Sequence, residues 1–269
     1  MVVTTADAEL EAVLDCLVNS YAYSVDGIPL KIGELGVRVV ALCKTRQGAT
    51  QTHGVVLKLL LNDFLRGRVK LVLIVGFCWG AQPESQCIGD ILVSEKLVDA
   101  THEKIKKTEA GVETRLRGTV SVDEGLADAV SSLLSRDWPP SLADCPQSHF
   151  DKAAKHRIPE IPRRPSVHIG TIISCPKLID DEATARHLIN HVQIKEHKPI
   201  GGDMELFQIH SAASIVGVRC LMTKAICDHA GLAGEKKKDG QPLAAAAAAH
   251  FADWLLRQEV FDGLLDNSV

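Results

Sequence analysis

The chain has 269 residues, of which 46% are hydrophobic and 24% are charged, so it can bury one large core. A formal net charge of -4 and a pI near 6.3 exclude a general basic field, which argues against binding driven by nucleic acid or anionic membrane. No apolar stretch approaches the roughly 20 residues that span a bilayer. Eight cysteines without a CxxC pair favour reduced thiols. We therefore expect a cytoplasmic protein with one domain.

Strands and helices alternate in the first hundred residues. The opening "VVTTADAELEAVLDCL" predicts a short strand and then a helix, with the change near Thr5 to Asp7. "VRVVAL" predicts a second strand, and "VVLKLLLNDFL" predicts a helix after a polar turn. The run from Val69 to Val75 is apolar on both faces, which is typical of a central strand covered by helices. "GDILVSEKLV" adds a strand, and this alternation predicts an α/β fold.

The second half is less regular at first. Residues 99–164 combine a charged start, a helical middle and a proline-rich exit, and we interpret them as a peripheral excursion. The strand "SVHIGTIIS", the helix "DDEATARHLIN", a helix that opens at "GGDMEL" and the strand "VRCLMTKAI" follow. "QPLAAAAAAHFADWLLRQEV" predicts a closely packed helix with Pro242 in its first turn.

Several acids stand where strands give way to helices. Asp203 is explained by helix capping, but Glu205 shares a helical stripe with apolar side chains, and a buried carboxylate needs a partner or a function. Glu9 on the first helix has an alternative as a solvated surface acid, and Asp228 has one as a turn residue. "GFCWG" lacks the G-x-G-x-x-G fingerprint, and the histidines lack metal-ligand spacing, so we predict no cofactor and no metal.

The order of these segments resembles the purine nucleoside phosphorylase and methylthioadenosine/S-adenosylhomocysteine nucleosidase superfamily. The resemblance runs through "TADAELEAV", "LIVGFCWG", "IGDILVS", "GTIISCPKLIDD", "GGDMELFQIHSAA" and "TKAICDHA", and it fades across residues 99–164. It implies a single-domain three-layer α/β/α sandwich with a central mixed sheet over residues 1–269. It also implies homo-oligomerisation.

The resemblance assigns roles to individual residues. Asp228 falls on the acid that protonates purine N7, a role that requires a pKa raised towards neutrality. Glu9 falls on the base that orients water in the nucleosidases, although its segment is one residue shorter than expected. Glu205 falls on the acid that binds ribose hydroxyls. The remaining predicted substrate contacts are Met204, Gly76, Phe77, Leu178, Ile179 and Lys224.

These roles predict a purine ribonucleosidase that hydrolyses the N-glycosidic bond of an adenine nucleoside or nucleotide. Phosphorolysis is the first alternative, for which Lys44, Arg46 and Lys224 are the candidate cations. A catalytically inactive nucleoside-binding module is the second. The segment from "KAICDHAG" to the alanine run also resembles effector domains of immune-type proteins, some of which act on ATP. Lys236 to Lys238 would then meet a polyphosphate, or else form a solvated loop.

Two substitutions depart from the family pattern. Lys224 stands where the bacterial nucleosidases have an arginine, so a point charge replaces a planar pair of donors. Phe77 and Trp79 are bulky in a turn that is usually smaller. We therefore expect a divergent branch with altered substrate scope.

Overall fold

A computed structural model describes residues 1–46, 49–108, 111–116, 118–134, 165–192, 198–232 and 237–266. The described helices are α1 (Asp7–Cys16), α2 (Ala49–Leu61), α3 (Glu124–Leu134), α4 (Glu182–His191), α5 (Leu206–Ile215), α6 (Lys237–Leu256) and α7 (Val260–Asp266). The described strands are β1 (Val2–Thr4), β2 (Val18–Val25), β3 (Ile28–Leu35), β4 (Arg38–Lys44), β5 (Leu71–Gly80), β6 (Ile91–Asp99), β7 (Glu103–Thr108), β8 (Gly111–Leu116), β9 (Thr119–Ser121), β10 (Val167–Ser174), β11 (Gly201–Asp203) and β12 (Arg219–Asp228).

Most of the strands form one mixed sheet in the order β11-β10-β6-β12-β5-β1-β4-β3-β2. At its centre β12, β5, β1 and β4 run parallel, whereas β6 is antiparallel to β12. The central strands β5 and β12 are almost wholly buried, as expected for apolar strands covered on both faces. The sequence-based prediction of an α/β fold with a central mixed sheet is confirmed.

Helices cover both faces of the sheet. One core joins α1, α3, α6 and α7 to the sheet, and its alanines Ala244 to Ala249 are at most 3% exposed. The other core joins α2 and α5 to the opposite face. Alanine lets α6 approach β12 and α1 closely, so the predicted close packing of this helix and the three-layer sandwich are both confirmed.

The sheet curls back on itself beside its central strand. Strand β11 pairs in parallel with β10 and also in antiparallel with the end of β5, where Gly201 faces Gly80 and Gly202 faces Trp79. This second pairing carries Asp203 towards the middle of the sheet. A cavity forms where β11, β5 and β12 come together.

Two local predictions are wrong. The double glycine of "GGDMEL" belongs to β11, and α5 begins only at Leu206, because the backbone of Gly201 and Gly202 is paired with β5. Pro242 is not in the first turn of α6, since that helix already begins at Lys237 and contains the proline internally.

Some predictions fall partly or wholly outside the described residues. Within the predicted excursion 99–164, the structure describes the β7–β8 hairpin, β9 and α3; residues 135–164 lie outside it, as does Lys236. The described cysteines are all free thiols. Across the described ranges, no helix combines the length and apolarity that a membrane crossing requires. A cytoplasmic location stays a prediction.

Candidate active site

One cavity brings the predicted site residues together. Glu9 enters from α1, Phe77 from β5, Leu178 and Ile179 from the segment after β10, Met204 and Glu205 from the start of α5, and Lys224 and Asp228 from β12. Only Gly76, among the predicted residues, does not line the cavity surface itself. The segments are far apart in sequence, so the fold alone creates this cluster.

The Glu9 carboxylate is held from several sides. Its Oε2 accepts hydrogen bonds from the backbone N–H and hydroxyl of Thr5, at 2.6 and 3.0 Å, and from the backbone N–H of Ala6 at 3.0 Å. Its Oε1 accepts a bond from the backbone N–H of Phe77 at 2.9 Å. Glu9 is 1% exposed, which excludes the surface-acid alternative. A carboxylate is the natural acceptor for so many donors.

Gly76 explains how Glu9 reaches the sheet. A Cβ atom at this position would lie 2.8 Å from Glu9 Cγ and closer still to the carboxylate. Gly76 therefore leaves the space that the acid occupies, while the next peptide unit supplies the N–H of Phe77. Although Gly76 does not line the cavity, it sets the position of a side chain that does.

Asp228 ends β12 and lies 4% exposed at the cavity. Its Oδ1 accepts the backbone N–H of Ala230 at 2.8 Å, and its Oδ2 accepts the Cys227 thiol at 3.4 Å. Ala230 has a φ of 53°, an unusual value for a residue other than glycine, which closes the turn tightly enough to direct its N–H back to the acid. Burial, and next the Asp228 charge, raise the pKa of Cys227 well above its usual range, so its thiol remains a donor.

Glu205 and Asp203 lie together at the start of α5, both nearly buried. Asp203 Oδ1 accepts the backbone N–H groups of Glu205 at 2.8 Å and Leu206 at 2.5 Å, so the predicted capping role of Asp203 has a structural basis. That role is incomplete, because Asp203 Oδ2 also accepts a bond from Lys224 Nζ at 2.6 Å. Sequence reasoning missed this second contact.

Lys224 is the buried cation of the cavity. Its side chain is 2% exposed, and its Nζ lies 2.6 Å from Asp203 Oδ2 and 3.6 Å from Glu9 Oε1. Burial alone would lower the pKa of Lys224, but the carboxylates of Asp203, Glu9 and Glu205 outweigh burial and raise it. The ammonium thus stays charged and is committed to carboxylates rather than open to solvent.

Apolar side chains form the remaining walls. Leu178 is 70% exposed at the cavity, whereas Ile179 is buried. Trp79 packs against β11 so closely that a Cβ atom on Gly202 would lie 2.6 Å from its Nε1. The bulky Trp79 that departs from the family pattern is therefore accommodated by a glycine on the neighbouring strand.

Cys78 and Lys177 also line the cavity, as expected for residues at the carboxyl end of β5 and after β10. The sequence gave no cavity role to two other lining residues, Gly202 and Gln241. Gln241 lies on α6, in the segment interpreted only as a packing helix, and no spacing pattern links it to the distant acids. The other two candidate cations lie elsewhere: Lys44 pairs with the exposed Asp7, and Arg46 is exposed.

The chain is similar to known proteins along most of its length. A curated relative, a death domain-containing ATP nucleosidase of Amphimedon queenslandica, is 23% identical over 261 residues. The match covers 93% of this chain but 47% of the relative, so the chain spans about half of that protein's length.

Solved structures share the fold at low sequence identity. A putative 5'-methylthioadenosine/S-adenosylhomocysteine nucleosidase from Borrelia burgdorferi bound to adenine aligns with a TM-score of 0.71 at 14% identity, covering 95% of this chain and 98% of the other. The corresponding enzyme from Neisseria meningitidis, in complex with methylthio-immucillin-A, gives 0.66 at 16% identity, with 95% and 97% covered. The model of the Phosphorylase superfamily matches residues 1–257, and the chain belongs to that family.

Proposed function

We propose that the chain is a purine ribonucleosidase that hydrolyses the N-glycosidic bond of an adenine nucleoside or nucleotide. The observation that carries this proposal is the convergence of Glu9, Glu205 and Asp228 in one cavity, each at most 4% exposed. Buried acids that converge in a cleft are frequent where proton transfer is catalysed. The nucleosidase names of the relative and of the solved structures support the same reaction.

In the proposed mechanism, each of the three acids has a separate role in the displacement of the purine by water at C1'. Asp228 gives its proton to purine N7, so that the base leaves as a neutral group when the bond between N9 and C1' breaks. Glu9 takes a proton from water as the water oxygen bonds to C1'. Glu205 accepts hydrogen bonds from ribose hydroxyls and stabilises positive charge on the sugar. The products are free base and ribose or its 5' derivative; the Asp228 proton ends on N7 of the base, and Glu9 ends with a proton from water.

Two features favour water over phosphate as the nucleophile. Glu9 is fixed by four hydrogen bonds as an acceptor, which suits a base that orients water. A phosphate nucleophile requires accessible cations, but Lys224 is committed to Asp203 and Glu9. Among the described residues that line the cavity, Lys177 is the other lysine, and one exposed side chain does not provide the converging cations that phosphorolysis requires.

Adenine nucleotides, including ATP, belong to the proposed substrate range. The relative from Amphimedon queenslandica is named an ATP nucleosidase. Helix α6 begins at Lys237, and its Gln241 lines the cavity, so the amino end of a long helix lies beside it. Free backbone N–H groups and the helix dipole favour an anionic group there. Lys236 to Lys238 remain candidate contacts for a polyphosphate. Homo-oligomerisation stays a prediction that light scattering can test.

The test is a substrate panel with matched variants. Purified protein is incubated with adenosine, methylthioadenosine, AMP and ATP, with and without phosphate, and released base is measured by chromatography. We expect adenine without phosphate, and loss of release in Asp228→Asn by about 10²–10⁴-fold, the range for general acid catalysis. The exposed Asp63→Asn variant is the control. Strict dependence on phosphate would replace hydrolysis by phosphorolysis, and unchanged release in Asp228→Asn would remove the assigned acid.

A further inference from the structure

Asp203 and Lys224 connect the two acids that act on opposite parts of the reaction. Asp203 Oδ1 accepts the backbone N–H groups of Glu205 and Leu206, which fixes the first turn of the ribose-side helix. Asp203 Oδ2 accepts Lys224 Nζ at 2.6 Å, and the same Nζ lies 3.6 Å from Glu9 Oε1. The side chains of Glu9, Asp203 and Lys224 are at most 2% exposed.

We propose that Asp203 and Lys224 are positioning residues for hydrolysis, which hold Glu9 and Glu205 in fixed relation and divide the Lys224 charge between Asp203 and Glu9. The inference rests on the proposed function, because it concerns the roles that the two acids have there. It gives Asp203 a role beyond helix capping. It also turns Lys224 from a substrate contact into a residue that acts through its neighbours.

The geometry explains why the charge must be divided. A base whose carboxylate is fully paired with an ammonium gives up its affinity for a proton, whereas an unpaired carboxylate beside other acids is hard to keep ionised. Asp203 takes the shorter of the two contacts, so Glu9 receives the weaker part of the Lys224 field. Glu9 thus lies beside the ammonium without forming the closer of its two ion pairs.

Removal of Lys224 and removal of Asp203 should therefore have opposite effects on the positive charge that acts on Glu9. Lys224 is the charged group in contact with Glu9, and Asp203 and Glu205 are the other carboxylates that act on this lysine. The thiols of Cys78 and Cys227 also face it, but burial raises the pKa of both, so they remain neutral. In Lys224→Met the cation is lost and three acids remain. In Asp203→Asn the whole ammonium becomes available to Glu9.

The acid limb of the rate profile against pH reports this difference. Hydrolysis requires ionised Glu9, so the limb should move to higher pH in Lys224→Met and to lower pH in Asp203→Asn. The double variant should fall between them. We expect kcat to fall by about 10²-fold in each single variant, the scale of a misplaced catalytic group, with KM changed much less.

A second ion pair provides the control. Arg219 and Asp123 are 2.9 Å apart, are partly buried and lie outside the cavity lining. Asp123→Asn should lower stability without moving the acid limb. If Asp203→Asn and Lys224→Met behave in the same way, with unfolding at lower temperature but unshifted limbs and normal kcat per folded molecule, the pair is structural only and the inference is wrong.

A binding measurement separates this inference from the proposed reaction. Calorimetry measures the affinity of an adenosine analogue that has a protonated nitrogen in place of the ribose ring oxygen. The analogue is titrated into wild type, both single variants and the double variant. Coupling between the two substitutions is expected, with the double variant binding better than the product of the single losses predicts. If wild type releases no base from any substrate but this coupling is present, the proposed reaction fails, and the pair positions Glu9 and Glu205 for ligand binding rather than for hydrolysis. Additive effects would overturn the positioning role whatever the reaction.

Discussion

Replacement of Gly76 by alanine tests whether the approach of Glu9 to β5 determines both stability and activity. The new Cβ would lie 2.8 Å from Glu9 Cγ and closer to its carboxylate, so the two side chains cannot both keep their positions. Either β5 shifts within the centre of the sheet or Glu9 moves away. If Glu9 moves, it loses the N–H of Phe77 at 2.9 Å and its proximity to Lys224.

The expected loss of stability follows from these contacts. Forcing an extra carbon into a packed interior typically costs about 1–3 kcal/mol. Losing a hydrogen bond to a charged group costs about 1.5–3 kcal/mol. Partial relaxation lowers the sum of the two, so we expect a loss of about 3 kcal/mol in the free energy of unfolding. Adenine release should fall by about 10²-fold or more even in the folded fraction, since the Glu9 carboxylate is displaced.

Urea unfolding followed by fluorescence measures the first effect, and base release per folded molecule measures the second. Gly54→Ala is a suitable control, because Gly54 is exposed in α2 and a Cβ there meets nothing within 4 Å. That change should be neutral or stabilise the protein by up to about 1 kcal/mol, since alanine favours the helix. Wild-type stability and activity in Gly76→Ala would refute the placement of Glu9 against β5.

Three further predictions concern the other parts of the site and the core. Glu9→Gln should lower kcat for base release by about 10²–10⁴-fold while nucleoside binding persists, whereas the exposed Glu11→Gln on the same helix should change neither. Ala230→Gly should keep activity and change the free energy of unfolding by less than about 1 kcal/mol, because glycine tolerates the φ of 53°. Ala230→Val should lower both the activity and the free energy of unfolding, because a branched side chain does not tolerate that φ. Burial raises the pKa of several thiols, which stay protonated in the fold when the unfolded chain ionises above about pH 8.5. The unfolded state then binds fewer protons, so stability should fall above that pH by about 1.4 kcal/mol per pH unit for each thiol, as measured by urea unfolding at stepped pH. These thiols are Cys43, Cys78, Cys220 and Cys227.

The parts of the fold that could be predicted are those in which local pattern and burial agree. The run from Val69 to Val75 is apolar on both faces and lies in the central strand β5, covered by helices on each side. The alanine-rich segment forms α6, where small side chains allow close contact with β12. In both cases the residue types themselves require the environment in which they lie, so the sequence is sufficient.

The parts that were missed depend on pairing between distant segments. Gly201 and Gly202 look like the flexible entry to a helix, but they form a strand because β5 offers its backbone and Trp79 needs a neighbour without a side chain. Strand β2 was also missed; seven of its eight residues are exposed, so its place at the sheet edge depends on pairing with β3 rather than on burial. Asp203 has the local signature of a cap, and only the curl of the sheet brings it to Lys224.

The balance of charge in the cavity links the proposed chemistry to the choice of nucleophile. Glu9, Asp203 and Glu205 bring three carboxylates near the ammonium of Lys224, while Asp228 carries the proton for the purine in the proposed mechanism. A neutral nucleoside gains little from this excess of negative charge, whereas a ribosyl group that becomes positive as its bond to the base breaks gains a great deal. Interactions that strengthen only in the transition state are the ones that raise kcat. The same field repels a phosphate nucleophile from the inner part of the cavity, so the arrangement that stabilises bond breaking also favours water.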